Sequence, residues 1–264
     1  MSQDNMVEKN AIEVSYPEER IALIRIASKP LGVLRFGVKR ALEARLKELE
    51  DDNHTRCVIL TGVERAFSVG SDVKDFSQEV GWLLENDYVE AGLNATIENS
   101  PLPIIAACNG YTLGGGAVLA LACDIRVASE SATFGFPEVK LGAFASGSGT
   151  QRLPRLIGRG RALDLLFTGR TIDAVEALEV GLVEYVASDD SLIEKALEIA
   201  GLIVENSPSA ISATKHCVNI GLREGFNTGL AAEQRLRVET GSAHDAMEGQ
   251  AAFVKKRKPL FRKE

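Results

Sequence analysis

The sequence predicts an α/β core followed by a helical C-terminal region. Two patterns carry that reading: short apolar runs alternate with helical stretches up to about Ala128, and helical periodicity takes over from about Gly147. Arg20 to Ile26 is a β-branched, apolar run and predicts the first strand. A helix follows from about Leu34 to Glu50, with Leu42, Leu46 and Leu49 on one face. Cys57-Val58-Ile59-Leu60 then runs into Thr61-Gly62, and four consecutive apolar residues predict a strand covered on both faces. The unit recurs with an apolar run at Pro103 to Cys108, a helix start at Gly114 to Ala122 and a strand at Asp124 to Ala128. Ser77 to Asn99 predicts a further helix. Beyond Gly147 the pattern gives helices near Ser148 to Leu156, Arg161 to Phe167, Asp173 to Val180, Ser191 to Glu205, Pro208 to Leu222, Gly225 to Thr240 and His244 to Lys255. Leu182 to Val186 alone reads as a strand there. No Ser/Gly linker or low-complexity stretch intervenes, and the predicted division is residues 1–190 for the core and 191–264 for the helical region.

Composition narrows the partners. The 264 residues are 45% hydrophobic and 25% charged, ordinary for a soluble globular protein able to bury a substantial core. Thirty Lys and Arg against 37 Asp and Glu give a net charge of -7, which argues against nucleic acid or an anionic membrane as the main partner. The run Lys255-Lys256-Arg257-Lys258 is an exception and reads first as a solvated face. Cys57, Cys108, Cys123 and Cys217 form no C-x-x-C pair, and three of them sit in apolar runs typical of buried thiols, pointing to a reducing, cytoplasmic setting. The first ten residues are polar and of mixed charge, unlike a signal peptide, and no apolar stretch approaches the roughly 18 residues that span a bilayer.

Three segments could carry chemistry. Ala66-Phe67-Ser68-Val69-Gly70-Ser71-Asp72-Val73-Lys74 follows the strand ending at Gly62; it reads as a tight turn or as a loop that aims the Ser71 N–H at a ligand. Asn109-Gly110-Tyr111-Thr112-Leu113-Gly114-Gly115-Gly116-Ala117 follows a strand and opens an apolar helix. Three consecutive glycines weaken a regular element by roughly 0.5–1 kcal/mol each, so close backbone approach or positive φ explains their use. What approaches is either the packed strand or a ligand facing the free N–H groups of the helix start. The segment lacks the G-x-G-x-x-G spacing of a dinucleotide site. In the third segment, Phe134-Gly135-Phe136-Pro137-Glu138-Val139-Lys140-Leu141-Gly142, Glu138 sits among apolar and glycine residues; it is a solvated loop carboxylate or a buried one with raised proton affinity.

Taken in this order, the three segments resemble the enoyl-CoA hydratase/isomerase (crotonase) family from about Ile21 to the C terminus. Arg170-Thr171-Ile172-Asp173-Ala174, Val180-Gly181-Leu182-Val183 and the stretch from Phe253 to Phe261 resemble further family segments. The resemblance implies a spiral of repeated strand-strand-helix units whose helical C-terminal region assembles trimers or pairs of trimers. It places two oxyanion-hole amides at Ser71 and Gly115 and a catalytic carboxylate at Glu138. The CoA part of the substrate would lie along Ser68, Val69, Gly70, Asp72 and Lys74, with Val69 near the adenine and Lys74 near the phosphates. Gly114 and Val118 would contact the substrate, and Phe253 and Lys256 would reach the CoA of a neighbouring subunit. The helix from Ser77 to Asn99 reads either as a mobile lid, with Trp82, Leu83, Leu84 and Tyr88 on the acyl chain, or as packing on the core. No metal or separate cofactor is expected, since a thioester enolate needs only fixed N–H donors and a proton carrier.

Departures from the family pattern sharpen the functional reading. Hydratases of this family carry a second glutamate in the helix after the glycines, where this chain has Val118. Valine cannot activate water, so a double-bond shift in an enoyl-CoA ranks above hydration, with non-catalytic acyl-CoA binding a further alternative. Pro30-Leu31-Gly32-Val33-Leu34 lacks the family's basic contact to CoA, and Ala145-Ser146 replaces its usual Pro-Gly. A serine peptidase is disfavoured: the histidines are His54, His216 and His244, and no serine stands in G-x-S-x-G.

Overall fold

The computed structural model describes residues 11–261, so the first ten, on which the absence of a leader was read, lie outside it. The described residues form two sheets. In the first, β1 (Ile12–Glu18) pairs antiparallel with β2 (Ile21–Ile26), and β3 (Cys57–Gly62), β5 (Ile104–Cys108), β7 (Ile125–Ser129) and β10 (Tyr185–Ala187) continue it in parallel. The second runs β4 (Ala66–Ser68), β6 (Tyr111–Leu113), β8 (Thr133–Gly135), β9 (Thr171–Asp173), with only the last pair antiparallel. Successive turns of the spiral therefore read strand, short strand, helix: β3-β4-α2 (Val80–Asn99), then β5-β6-α3 (Gly115–Ala122).

The apolar run in β3 explains the layering. Alternate side chains leave opposite faces of a strand. Cys57 and Ile59 join Ile21, Leu23, Ile105 and Val127 under α7 (Leu192–Val204), while Val58 and Leu60 join Ile24, Ile104 and Leu42 of α1 (Phe36–Asp51). Each such side chain contributes roughly 1.5–3 kcal/mol when fully buried. Burial also pushes the Cys57 and Cys108 thiols up to about 12, which makes them inert packing groups.

The rest of the chain adds α4 (Gly149–Ile157), α5 (Arg159–Thr168), α6 (Ala174–Glu179), α8 (Pro208–Glu224), α9 (Phe226–Ser242) and α10 (His244–Val254). One expectation needs correction. Thr171–Asp173 is a strand in a region read as having only one, and that one spans Tyr185–Ala187 rather than Leu182 to Val186. Leu192, Ala196 and Ile199 of α7 seal a face of the first sheet. Among the described residues no helix is long and apolar enough to cross a membrane.

Candidate active site

The site begins where β4 ends. The buried Ser68 hydroxyl donates to Gly32 O at 2.6 Å and accepts from the Gly70 N–H at 3.1 Å, which turns the chain sharply. Gly70 has φ +82°, and a Cβ there would stand 2.6 Å from Gly115 N, so only glycine lets the two loops meet. The meeting sets two amides side by side: a Cβ on Gly115 would lie 3.7 Å from Ser71 N. Neither the Ser71 nor the Gly115 N–H makes a backbone hydrogen bond among the described residues. Gly115 opens α3, so its N–H belongs to a first turn that has no internal acceptor and carries the positive end of the helix dipole. Gly116 is fixed by close approach, since its Cβ would be 2.2 Å from Ser68 O.

Glu138 arrives from a 3-10 turn, Pro137–Leu141, started by the proline and ended by Gly142 in a left-handed conformation. Its Oε1 lies 3.5 Å from where a Cβ on Gly114 would stand, and its Oε2 is buried with no hydrogen-bond partner. Burial pushes the carboxyl above its ordinary value; its own backbone N–H pulls part of the way back, and the negative charge of Glu90 adds to the rise. The carboxyl of the third segment is therefore half-buried, with its Oε2 enclosed.

Two functional-looking residues were missed by the sequence reading. Lys39 of α1 is 1% exposed, and its Nζ donates to Ser71 Oγ at 2.9 Å, Asn86 Oδ1 at 3.1 Å and Glu90 Oε2 at 2.7 Å. Glu90 Oε1 points the other way: a Cβ on Gly115 would be 3.6 Å from it, and one on Gly147 2.7 Å. Asn94, one turn further along α2, donates to Gly147 O at 2.9 Å and pins the same loop. The signal was available as polar residues on buried stripes, Lys39 with Leu42 and Leu46, and Glu90 with Leu93 and Ile97.

The other predicted residues fall in different surroundings. Asp72 accepts from the Lys74 N–H and pairs with Arg35 at 2.8 Å, contacts that hold its carboxyl below the usual range. Val69 is half-buried and the Lys74 side chain is exposed. Val118 is fully buried, with a Cβ on Gly149 only 2.8 Å from its methyl group. Trp82 packs edge-on against Phe36 and Phe76, each 5.5 Å away, whereas Leu83, Leu84 and Tyr88 are exposed. Phe253 and Lys256 are exposed at the end of the chain's last helix. A cavity of about 950 Å³ between α3, α4 and α8, lined by Leu121, Arg155, Leu156 and Val218, does not include Ser71, Gly115 or Glu138. Among the described residues no cluster of His, Cys, Asp and Glu is arranged to hold a metal ion.

A family model described as "Enoyl-CoA hydratase/isomerase" matches residues 18–264. The chain belongs to the enoyl-CoA hydratase/isomerase family. A Bacillus subtilis (strain 168) relative whose given name places it in the same group is 40% identical over 96% of this chain and 98% of its own length. The Clostridium acetobutylicum "Short-chain-enoyl-CoA hydratase" is 38% identical over 91% of this chain and 94% of its own. The crystal structure of an enoyl-CoA hydratase from Bacillus anthracis superposes with a TM-score of 0.92 at 37% identity, covering 96% of this chain and all of that one. This family member thus has the α/β spiral and helical C-terminal region expected of it, and is an enzyme of the hydratase or isomerase type.

Proposed function

We propose that the chain acts on an enoyl-CoA thioester and shifts its double bond through an enolate, with Glu138 as the proton shuttle. The observation that carries this is the Glu138 carboxyl, its Oε2 buried without a partner, set beside Gly114 at the start of α3. Its ionised form takes the α-proton as the C–H bond breaks. The electron pair moves onto the thioester oxygen, which the Ser71 and Gly115 N–H groups stabilise; each such donor is typically worth ~10²–10³-fold in rate. The same carboxyl returns the proton at the γ-carbon and is regenerated. No separate cofactor enters these steps, CoA being part of the substrate.

Val118 supports the shift over hydration, because an apolar side chain packed on Gly149 cannot orient water. A second reading, water addition to a 2-enoyl-CoA, is favoured by the names of relatives such as the Clostridium enzyme. Along the first loop, Ser68 and Gly70 shape the turn, while Val69, Asp72 and Lys74 offer contacts for the CoA. The 86% exposure of Phe253, with Lys256 near it, supports a contact across a subunit boundary in a trimer or pair of trimers. A cytoplasmic setting fits four unpaired cysteines and a CoA substrate. The test compares wild type with E138Q on a 3-enoyl-CoA: the shift should fall ~10²–10⁴-fold with KM little changed. Equal turnover by both would remove Glu138 from the mechanism, and unchanged acyl-CoA binding without any turnover in wild type would leave a binding protein.

A further inference from the structure

We infer that Glu90 is the second carboxylate of this site, the acceptor for the proton of an attacking water, supplied by α2 where Val118 leaves α3 without one. The inference rests on the enoyl-CoA reading above. Four observations converge on it. Glu90 is a buried carboxylate on a helix whose outer turns are exposed. One of its oxygens is held by Lys39 at 2.7 Å, so its charge is balanced and its orientation fixed. The other makes no hydrogen bond among the described residues and lies between Gly115, whose N–H is an oxyanion donor, and Gly147, in the loop after Glu138. Gly147 has φ +60°, and a Cβ there would come within 2.7 Å of that oxygen, so the loop is shaped around the carboxylate.

Glu90 is ion-paired through one oxygen and keeps the other open as an acceptor, whereas at Glu138 burial, with Oε2 left unpartnered, raises the carboxyl's proton affinity. Two carboxyl groups in such different surroundings divide base from acid. In the step that follows, the water oxygen bonds to the β-carbon while one of its protons passes to Glu90. The π electrons move to the thioester oxygen under the Ser71 and Gly115 N–H groups. The enolate then takes a proton at the α-carbon from protonated Glu138. Proton return from Glu90 to Glu138 through a second water resets both.

The competing account makes the Lys39–Glu90 pair a strut between α1 and α2, and the experiment separates the two. Purified wild type, E90Q and E138Q are each given a 2-enoyl-CoA and a 3-enoyl-CoA, and products are resolved by mass and chromatography. Wild type should form both a product heavier by one water and a shifted isomer. In E90Q the ratio of hydration to shift should fall about 100-fold or more, at similar KM, and in E138Q both rates should fall. If E90Q does not fold, K39M/E90Q, which removes both charges, is read in its place. A wild type that shifts double bonds but adds no water overturns the inference, as does an unchanged ratio in the variant. A wild type without either activity overturns the enoyl-CoA reading itself.

Discussion

The carboxyl of Glu138 rests against the backbone of Gly114, its Oε1 3.5 Å from the place a Cβ would occupy, while its Oε2 is buried without a partner. A group placed so is poorly stabilised when charged, which is a stability cost retained at the site. E138Q should therefore melt higher than wild type near neutral pH, by about 2 °C for a chain of this size, while losing activity. Differential scanning calorimetry checks this, and a lower melting temperature would show that the carboxylate is stabilising.

The sign of the pH dependence follows. With its folded value raised, Glu138 binds its proton more tightly in the native state than in the unfolded one, so the native state is favoured below the ordinary value of 4.5. That contribution is lost as pH rises through the raised value. The melting gap between E138Q and wild type should widen with pH over this window and close below it.

Activity gives a sharper pH signature. The double-bond shift needs ionised Glu138 and should rise with pH through the raised value, whereas hydration needs its protonated form and should fall over the same range. Glu90 is the nearby charge that adds to the rise, with Lys39 paired to it, so E90Q should move the midpoint of the shift to lower pH. Initial rates across a pH series with both substrates decide this; parallel profiles would contradict it.

Glycines near the site differ in what they tolerate. G70A would drive a Cβ to 2.6 Å from Gly115 N and force the paired amides apart, so kcat should drop ~10²-fold or more. G142A has a similar positive φ, +74°, but nothing lies within 4 Å of its Cβ; it should cost only about 1 kcal/mol of backbone strain. Rate and chemical-denaturation measurements on both variants separate crowding from strain.

The Lys39–Glu90 pair has side chains 1% and 11% exposed. K39M leaves a buried carboxylate uncompensated and should destabilise the fold by ~3–5 kcal/mol, and K39M/E90Q should recover most of that loss. Urea unfolding of the three proteins measures the coupling; independent effects would show that the two side chains do not meet.

How much the sequence showed depended on whether a signal was local. The β3 strand was legible because Cys57 to Leu60 are apolar on both faces, and Ser71, Gly115 and Glu138 because three glycine-bearing segments resemble one family in order. Strands of three residues, such as Thr171–Asp173 and Ala66–Ser68, are too short for alternation to register and form only because a neighbouring strand offers hydrogen bonds. Glu90 and Lys39 are visible as polar residues on apolar stripes, but their pairing depends on how α1 and α2 meet, which periodicity within either helix cannot give. The helix from Val80 was read as lid or core; Val89, Leu93 and Ile97 pack on the core, Glu90 reaches the site, and Leu83, Leu84 and Tyr88 are exposed.

The most direct test of the central claim is to give the wild-type protein a 3-enoyl-CoA thioester and identify the product. A double bond moved into conjugation with the thioester at unchanged mass is the predicted first product. Substrate recovered unchanged, under conditions where the protein binds it, would contradict the proposed proton transfer through Glu138.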